Sequence, residues 1–353
     1  MRIHIVVLIV SLVVTTGLPG QSPTARGPLN CAMVAEASDS GNGRIGAVSP
    51  GEGGRLAWAD GVESTFLVRD SRGVLHRGGH SGEGPGEFRG LLDIGWIGDT
   101  LWVSDYRLPR VQLFSDTGTF LRTITTVLPA AWIPRPNGSL IGMQFSPASR
   151  ISYTVTGYTP GHTSVDTIID FPVPRTDEVM VPIGGRSIAN RHPLLPTTVA
   201  NWASDGSRWC AAIPRNGERF SLQCADTDGH TLLNQPIVFP LRPVTDAVYD
   251  SVIALFARAP GRTKDQMRGL ISRPQHLPMV TELRLDDLGD IWLGRHHRSE
   301  SQARYVRLRT DGSMRDSITI PMSYSLRHIR GDSVWAATTD DDGIQTLRRC
   351  SLR

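Results

Sequence analysis

A glycine-rich stretch at residues 78–90, GGHSGEGPGEFRG, places a histidine and two glutamates among turn-forming residues. Histidine and glutamate are side chains that exchange protons or bind cations. Residues of the same chemical types occur on other segments that lead into repeated units of the chain. We predict that a ligand-binding or catalytic site draws on this set: His80, Glu87, Asp93, Glu282 and His328.

Local metal-binding patterns are missing. His296 and His297 are adjacent, so in a strand their side chains would point to opposite faces and could not share one ion. The three aspartates at 340–342 superficially suit Ca²⁺, but the alternating ligands and terminal glutamate of an EF-hand loop are absent. A solvated hairpin tip explains this run better. We therefore predict no cofactor and no metal. Calcium is the one ion whose binding the sequence leaves open.

Patterns for covalent catalysis and for phosphate binding are missing as well. The sequence has no Gly-x-Ser-x-Gly motif and no P-loop. The glycines of residues 78–90 are not followed by a helical pattern, so they do not match a dinucleotide-binding turn. The sequence assigns no catalytic residue, and we expect a binding protein more than an enzyme.

The N-terminus has the features of a secretory signal peptide. Arg2 and His4 precede an apolar run, IVVLIVSLVV, which gives way to small and turn-forming residues. This run is shorter than the roughly 20 residues that cross a bilayer, and no other segment is long and apolar enough. We predict a signal peptide over 1–22, a short N-terminal segment over 23–42, and a secreted or periplasmic protein without an integral membrane span.

Charge argues against a polyanion-binding role. The chain has 37 basic and 34 acidic residues, interspersed along its length. A nucleic-acid-binding protein would be expected to show a dense basic face. We predict no nucleic-acid partner. The expected partner is a protein, a peptide or a small ligand, and the expected state is a monomer.

A repeat runs through the chain. The segment from Gly54 and the segment from Gly98 each have a turn, an apolar run that contains Trp, an Asp, a second run, and a glycine 13 residues after that Asp. Four further copies begin at Gly138, Gly206, Gly289 and Gly331. Short β-branched or aromatic runs between Gly, Asp and Asn turns are typical of antiparallel hairpins, and units near 40 residues are typical of propeller blades. We predict an all-β, six-bladed β-propeller over 43–353.

Two longer spacings indicate insertions. Residues 171–199 are proline-rich, so we predict an irregular excursion there. Residues 241–278 show helical periodicity, and Thr263 with Gln266 forms a capping box. We predict a pair of helices packed on one face of the ring. The last copy lacks an outer strand, and we predict that Gly43–Ser49 supplies it, closing the ring through the two ends of the chain.

Four cysteines in an exported protein favour disulfides over free thiols. Cys210 and Cys224 flank a turn and would lie opposite each other on neighbouring strands. Cys31 and Cys350 are then left, one near each end of the mature chain. We predict the pairs Cys210–Cys224 and Cys31–Cys350, and the second pair would lock the closure of the ring.

One blade resembles a known family. The segment GEGPGEFRGLLDIGWIGDTLWVSDYRLPRVQLFSDTGTFLRTI, from Gly82 to Ile124, is similar to the NHL-repeat class of six-bladed propellers, including bacterial exported members. Asp105 matches the family's Asp at the end of a strand, Arg110 its Arg five residues on, and Phe114 the aromatic of the next strand. The proline that usually follows Phe88 is absent, and the other copies match weakly. The resemblance implies a structural role for Asp105, Arg110 and Phe88.

The resemblance implies a fold more than an activity, because the same architecture serves lyases, lactonases and binding platforms. We expect a binding module that recognises its ligand through the loop face. The alternative is a metal-dependent hydrolase or lyase of the lactonase-like kind. Residues 78–90 fall between the first two copies, so we predict that they form a corner between blades and that Phe88 fills the gap.

Overall fold

The computed structural model describes residues 29–36, 44–60, 62–128, 130–145, 152–172, 178–183, 186–215, 219–297 and 300–352. The predicted signal peptide at 1–22 lies outside these residues, as does most of the segment 23–42. Within the described part of the chain, no helix is long and apolar enough to cross a membrane.

The N-terminal half of the chain begins with β1 (Asn30–Glu36). The first four-stranded sheet then consists of β2 (Ile45–Pro50), β3 (Leu56–Asp60), β4 (Thr65–Arg69) and β5 (Leu75–Gly78), with a 3₁₀ turn at Glu52–Gly54. Two short parallel strands follow, β6 (His80–Ser81) and β7 (Glu87–Phe88). The second sheet contains β8 (Leu91–Ile97), β9 (Thr100–Asp105), β10 (Arg110–Phe114) and β11 (Phe120–Thr125).

The middle of the chain forms two more sheets of the same kind and a hairpin between them. The third sheet has β12 (Ala131–Pro134), β13 (Leu140–Phe145), β14 (Ser152–Tyr158) and β15 (Asp166–Pro172). The hairpin is β16 (Glu178–Ile183) with β17 (Arg186–Arg191). The fourth sheet has β18 (Val199–Trp202), β19 (Arg208–Pro214), β20 (Phe220–Asp226) and β21 (Thr231–Ile237).

The C-terminal part contains the helices and the last two sheets. The helices are α1 (Asp246–Phe256) and α2 (Lys264–Leu270). The fifth sheet has β22 (Glu282–Leu285), β23 (Ile291–Gly294), β24 (Gln302–Leu308) and β25 (Met314–Pro321). The sixth has β26 (Tyr324–Arg330), β27 (Ser333–Thr339) and β28 (Gln345–Ser351), followed by β1 as its outer strand.

The first strands of the sheets lie next to one another around an axis. Strand β2 contacts both β8 and β26, β8 contacts β12, and β18 contacts β22. Within each four-stranded sheet the strands pair antiparallel, and they follow the order of the chain apart from β1. The architecture is therefore a six-bladed β-propeller, as the repeat predicts.

Ring closure uses a different strand from the one expected. Strand β1 pairs antiparallel with β28, and Cys31 lies opposite Cys350. Gly43–Ser49 was the predicted outer strand, but residues 45–50 form β2, the innermost strand of the first blade. Each repeat unit in the sequence starts at the turn that follows the innermost strand of a blade. The blade itself therefore begins one strand before the repeat unit. The prediction that the two ends of the chain close the ring is correct. The strand predicted to be the outer strand of the last blade is wrong.

Both predicted disulfides are present. Cys31–Cys350 joins β1 to β28, and Cys210–Cys224 joins directly opposed residues of β19 and β20. The described chain has no free cysteine. Persistent disulfides require an oxidising environment, so the pairs fit an extracellular location.

The repeated tryptophans pack between the blades. Trp58, Trp102, Trp209 and Trp292 lie on the second strand of their blades and are at most 1% exposed, and Trp335 is 6% exposed. An aromatic side chain buries a large apolar area, so these five residues, from five of the six blades, provide much of the core between sheets.

The two insertions differ from each other. Within 171–199 the sequence predicts an irregular excursion, but the described residues form the end of β15 and the hairpin of β16 and β17. The helical pair within 241–278 is confirmed. The side chain of Thr263 caps α2 and Gln266 bonds back to the Thr263 backbone, which is the predicted capping box.

Candidate ligand site in the central channel

The innermost strands surround a cavity of about 130 Å³ on the axis of the ring. Five of the six blades line it with polar and apolar side chains, including Asp93 on β8, Trp202 on β18, Arg284 on β22, and Arg327 and His328 on β26. Side chains normally alternate along a strand, but a register shift between Leu326 and His328 interrupts β26, and the adjacent Arg327 and His328 both line the cavity. The channel is therefore charged and polar.

Asp93 is a carboxyl group that exchanges its proton near neutral pH. A register shift between Leu91 and Asp93 interrupts the regular pairing of β8 with β9, and the Asp93 carboxylate accepts the backbone N–H of Ile94 at 2.9 Å. Burial raises the pKa of Asp93 to about 6, against the opposing effects of that hydrogen bond, of the charge of His328 and of a hydrogen bond with Trp202. A buried carboxyl group with such a pKa is typical of functional sites.

His328 belongs to a short hydrogen-bonded chain. Its Nε2 lies 2.8 Å from Oδ2 of Asp287, and the hydroxyl of Ser204 donates to the other oxygen of Asp287 at 2.5 Å. Burial disfavours the charged form of Asp287, but the hydrogen bonds from His328 and Ser204 outweigh it and hold the pKa of Asp287 below its usual value. Asp287 is thus anionic at neutral pH and orients the His328 ring.

Two arginines add positive charge to the channel. Arg284 pairs with Glu282 at 2.5 Å from Nε to Oε1, and the Tyr305 hydroxyl donates to the other Glu282 oxygen at 2.7 Å. Arg327 differs, because no described residue provides it with an acidic partner and its Nε is buried without a hydrogen-bond partner. Burial lowers the pKa of Arg327, and repulsion from Arg284 and Arg44 lowers it further.

The five predicted site residues therefore fall into two groups. Asp93 and His328 line the channel, and Glu282 lies beside it as the partner of Arg284. His80 and Glu87 lie apart, in the corner between the first two blades, where His80 Nε2 is 3.1 Å from Glu87 Oε1 and His80 is 65% exposed. The structure does not bring them to the channel, because the corner connects an outer strand to the next innermost strand.

Sequence reasoning missed Arg284, Arg327 and Asp287. A signal for the arginines was available. Strand β22 has the sequence ELRL and strand β26 contains SLRHIR, so each has charged residues within the innermost strand of its blade. The innermost strands of the other blades consist mostly of apolar or small residues. Asp287 is harder to find, because turns after innermost strands commonly contain aspartate for structural reasons.

The corner at residues 78–90 lies between the first two blades and is held by packed rings and by hydrogen bonds to its backbone. Phe88 is fully buried and contacts Phe66 and Phe114, with ring centroids 6.3 and 6.0 Å away. Arg110 donates to the backbone carbonyls of Glu83 and Glu87. The carboxylate of Asp105 accepts four backbone N–H groups, those of Arg89, Gly90, Arg107 and Leu108, at 2.9 to 3.2 Å.

The aspartate run at 340–342 is a turn at the end of a hairpin. Asp340 Oδ1 accepts the backbone N–H groups of Asp342 and Ile344. A group of three close metal-ligating side chains occurs elsewhere in the described chain, at Asp226, Asp228 and His230. It lies at the exposed turn between β20 and β21, where Asp226 already accepts N–H groups of its own turn, so it does not indicate an ion site.

Comparison with known proteins supports the fold. No protein-family model matches the chain, and no curated protein matches its sequence. Among solved structures, a protein described as exported, from Bacteroides fragilis, has a TM-score of 0.50 and 12% identity over 92% of this chain and 95% of that one. A DUF4221 family member from Bacteroides vulgatus has a TM-score of 0.50 and 8% identity over 93% and 97%.

Virginiamycin B lyase from Staphylococcus aureus is also similar, with a TM-score of 0.46 and 9% identity over 92% of this chain and 100% of that one. The two structures with a TM-score of 0.50 share only 12% and 8% identity with this chain, so their similarity is one of fold.

Proposed function

We propose that this protein is an exported binding protein whose central channel takes a small ligand through a negatively charged group. The observation that carries this proposal is Arg327, a guanidinium in the channel with no acidic partner among the described residues. Arg284 lines the same cavity.

A half-buried guanidinium without an acidic partner is costly, because burial removes part of the water around a charge that nothing nearby neutralises. The cost is greater here, since Arg284 repels Arg327. An oxyanion placed beside both groups would relieve the repulsion and accept paired N–H donors in the planar geometry that guanidinium groups provide.

The rest of the cavity supplies groups that can orient such a ligand. Asp93 donates a hydrogen bond when protonated and accepts one when ionised, and the indole of Trp202 gives an apolar surface. Small-ligand sites generally combine a few converging polar groups with apolar walls. Because the cavity measures only about 130 Å³, the group held inside it must be small.

Calorimetric titration of the purified protein with acetate, lactate and inorganic phosphate tests the proposal. We expect saturable binding of at least one of these anions, weakened at least tenfold in Arg327→Gln. Arg309→Gln is the matched control, since it removes the same charge from an exposed turn outside the cavity. Equal affinity in wild type and Arg327→Gln, or no binding of any of the three anions, contradicts the proposal.

A hydrolase or lyase is the second candidate, favoured by Asp93 with its raised pKa and by the His328–Asp287 pair at 2.8 Å. A metal-dependent form needs three or more ligands near one axial point. Among the described residues the only close group of three metal-ligating side chains lies at an exposed turn away from the channel. Metal analysis of purified protein distinguishes the two candidates: a stoichiometric metal that is lost in His328→Ala would favour the enzyme.

A further inference from the structure

A second cavity, of about 240 Å³, lies between the fourth blade and the segment that carries the helices. It shares no residue with the channel cavity. Most of its walls are apolar, and the lining includes Phe220 on β20, Leu241, Met279 and Val280. This volume is below the roughly 300–1,000 Å³ of pockets for drug-sized ligands, so its ligand must be small.

The outer wall of this cavity is held in place by backbone pairing at the base of the helices. The N–H of Val244 donates to the carbonyl of Gln275 at 3.0 Å, and the N–H of Leu277 donates to the carbonyl of Arg242 at 2.8 Å. The helices themselves pack through buried Ile253 and Met267. The cavity is therefore formed by ordered backbone on both sides.

Two polar groups of the cavity, those of Thr197 and Arg219, have no protein partner among the described residues. The hydroxyl of Thr197 is buried and has no hydrogen-bond partner in the described part of the chain. Arg219 is in no ion pair among the described residues, and His276 lines the same cavity. The lining residues include no aspartate or glutamate. An apolar cavity with a basic rim and an unpaired buried hydroxyl is complementary to an apolar molecule that carries one acid group.

We infer that this cavity is a second binding site, which takes a small apolar monocarboxylate. The hydrocarbon part contacts Phe220, Met279 and Val280, where apolar burial provides most of the affinity. The carboxylate lies towards Arg219 and His276, and Thr197 gives the ligand one hydrogen bond. The helical insertion thus adds a ligand site that the six blades alone do not provide.

Titration with octanoate, followed by calorimetry, tests this site, with octan-1-ol as the uncharged comparison. We expect saturable octanoate binding, weakened at least fivefold in Arg219→Gln and two- to fivefold in Thr197→Val, which removes the hydroxyl at nearly constant shape. Octan-1-ol should bind at least fivefold more weakly than octanoate. Arg215→Gln is the matched control, because Arg215 is exposed on the same hairpin and does not line the cavity.

Several outcomes would overturn the inference: no saturable octanoate binding, equal affinity for octan-1-ol, or equal weakening by Arg215→Gln and Arg219→Gln. Arg327→Gln separates this site from the channel. Octanoate affinity should be unchanged in Arg327→Gln, and loss of octanoate binding in that variant would place the carboxylate in the channel instead. Unchanged thermal unfolding of each variant confirms that the protein is folded in the titration.

Discussion

The corner at residues 78–90 and the central channel both contain polar and charged side chains, but they differ in how completely those groups are hydrogen-bonded. In the corner, Asp105 accepts four backbone N–H groups, and Gln112 accepts the N–H of Gly86 and donates to the carbonyl of Glu87. In the channel, Arg327 has no acidic partner among the described residues and Asp93 has a raised pKa.

This difference distinguishes side chains that stabilise the fold from side chains that are available to bind a ligand. A buried polar group that is fully hydrogen-bonded holds the backbone in one conformation, and removing it leaves its partners unsatisfied. A buried charge without a partner opposes folding and persists where a ligand supplies the missing interaction. Substitution of Asp105 or Gln112 in the corner should therefore destabilise the protein, whereas substitution of Asp93 or Arg327 in the channel should leave it unchanged or more stable.

The largest effect is expected for Asp105→Ala. Removing the carboxylate leaves four backbone N–H groups without an acceptor in a buried corner, which should lower the free energy of unfolding by about 4 kcal/mol. Urea denaturation measures the loss. Asp341→Ala, at an exposed turn, is the control and should stay within about 0.5 kcal/mol of wild type. A loss below about 1 kcal/mol for Asp105→Ala would contradict a structural role.

A smaller loss is expected for Gln112→Met, which keeps the length of the side chain. Gln112 is fully buried, so the variant leaves the N–H of Gly86 without an acceptor, at a cost of about 2 kcal/mol, while the carbonyl of Glu87 keeps its hydrogen bond from Arg110. The same denaturation experiment applies. Wild-type stability in this variant would show that water replaces the amide in the corner.

In the channel, Asp93→Asn should stabilise the protein in a pH-dependent way. The pKa of Asp93 is about 6 in the folded protein and near 3.8 in the unfolded chain, so the folded state loses stability as the pH rises from roughly 4 to above 6. Asparagine does not ionise. We expect a gain of about 1–2 kcal/mol at pH 7.5 and none at pH 3.5, measured by denaturation at both values. An equal effect at both values would contradict the raised pKa.

The smallest effect on stability is expected for Arg327→Leu. The variant removes a partly buried charge that Arg284 repels, so the free energy of unfolding should change by between zero and a gain of about 1 kcal/mol. A loss of more than about 1 kcal/mol would mean that Arg327 has a structural anionic partner within the protein, and the contrast with the corner would fail.

Much of the fold is predictable from local sequence. The Trp-containing runs and Gly-Asp turns recur along the chain, and each copy specifies its own hairpins. Cys210 and Cys224 can be paired because one short turn separates their strands. The identity of the closing strand was not predictable in this way, because β1 and β28 are at opposite ends of the chain and no turn connects them.

The candidate site was predictable only in part. Asp93 and His328 were found by residue type, but His80 and Glu87 have the same types and lie in the corner instead. Residue type shows what a side chain can do. Its position in the blade decides whether it faces the channel, and a register shift such as that between Leu91 and Asp93 changes the facing residue without a sequence signal.

The sequence by itself determined the six blades, the helical insertion and the disulfide pairs, since these depend on periodicity, turns and spacing along the chain. The tertiary structure alone decided which charges have partners. Glu282 and Arg284 form a pair within one strand, whereas Arg327 comes from the next blade and lies near Arg284 only when the two blades pack around the axis. Burial and pairing are properties of that closed ring, so the channel and its unpartnered arginine appear only in three dimensions.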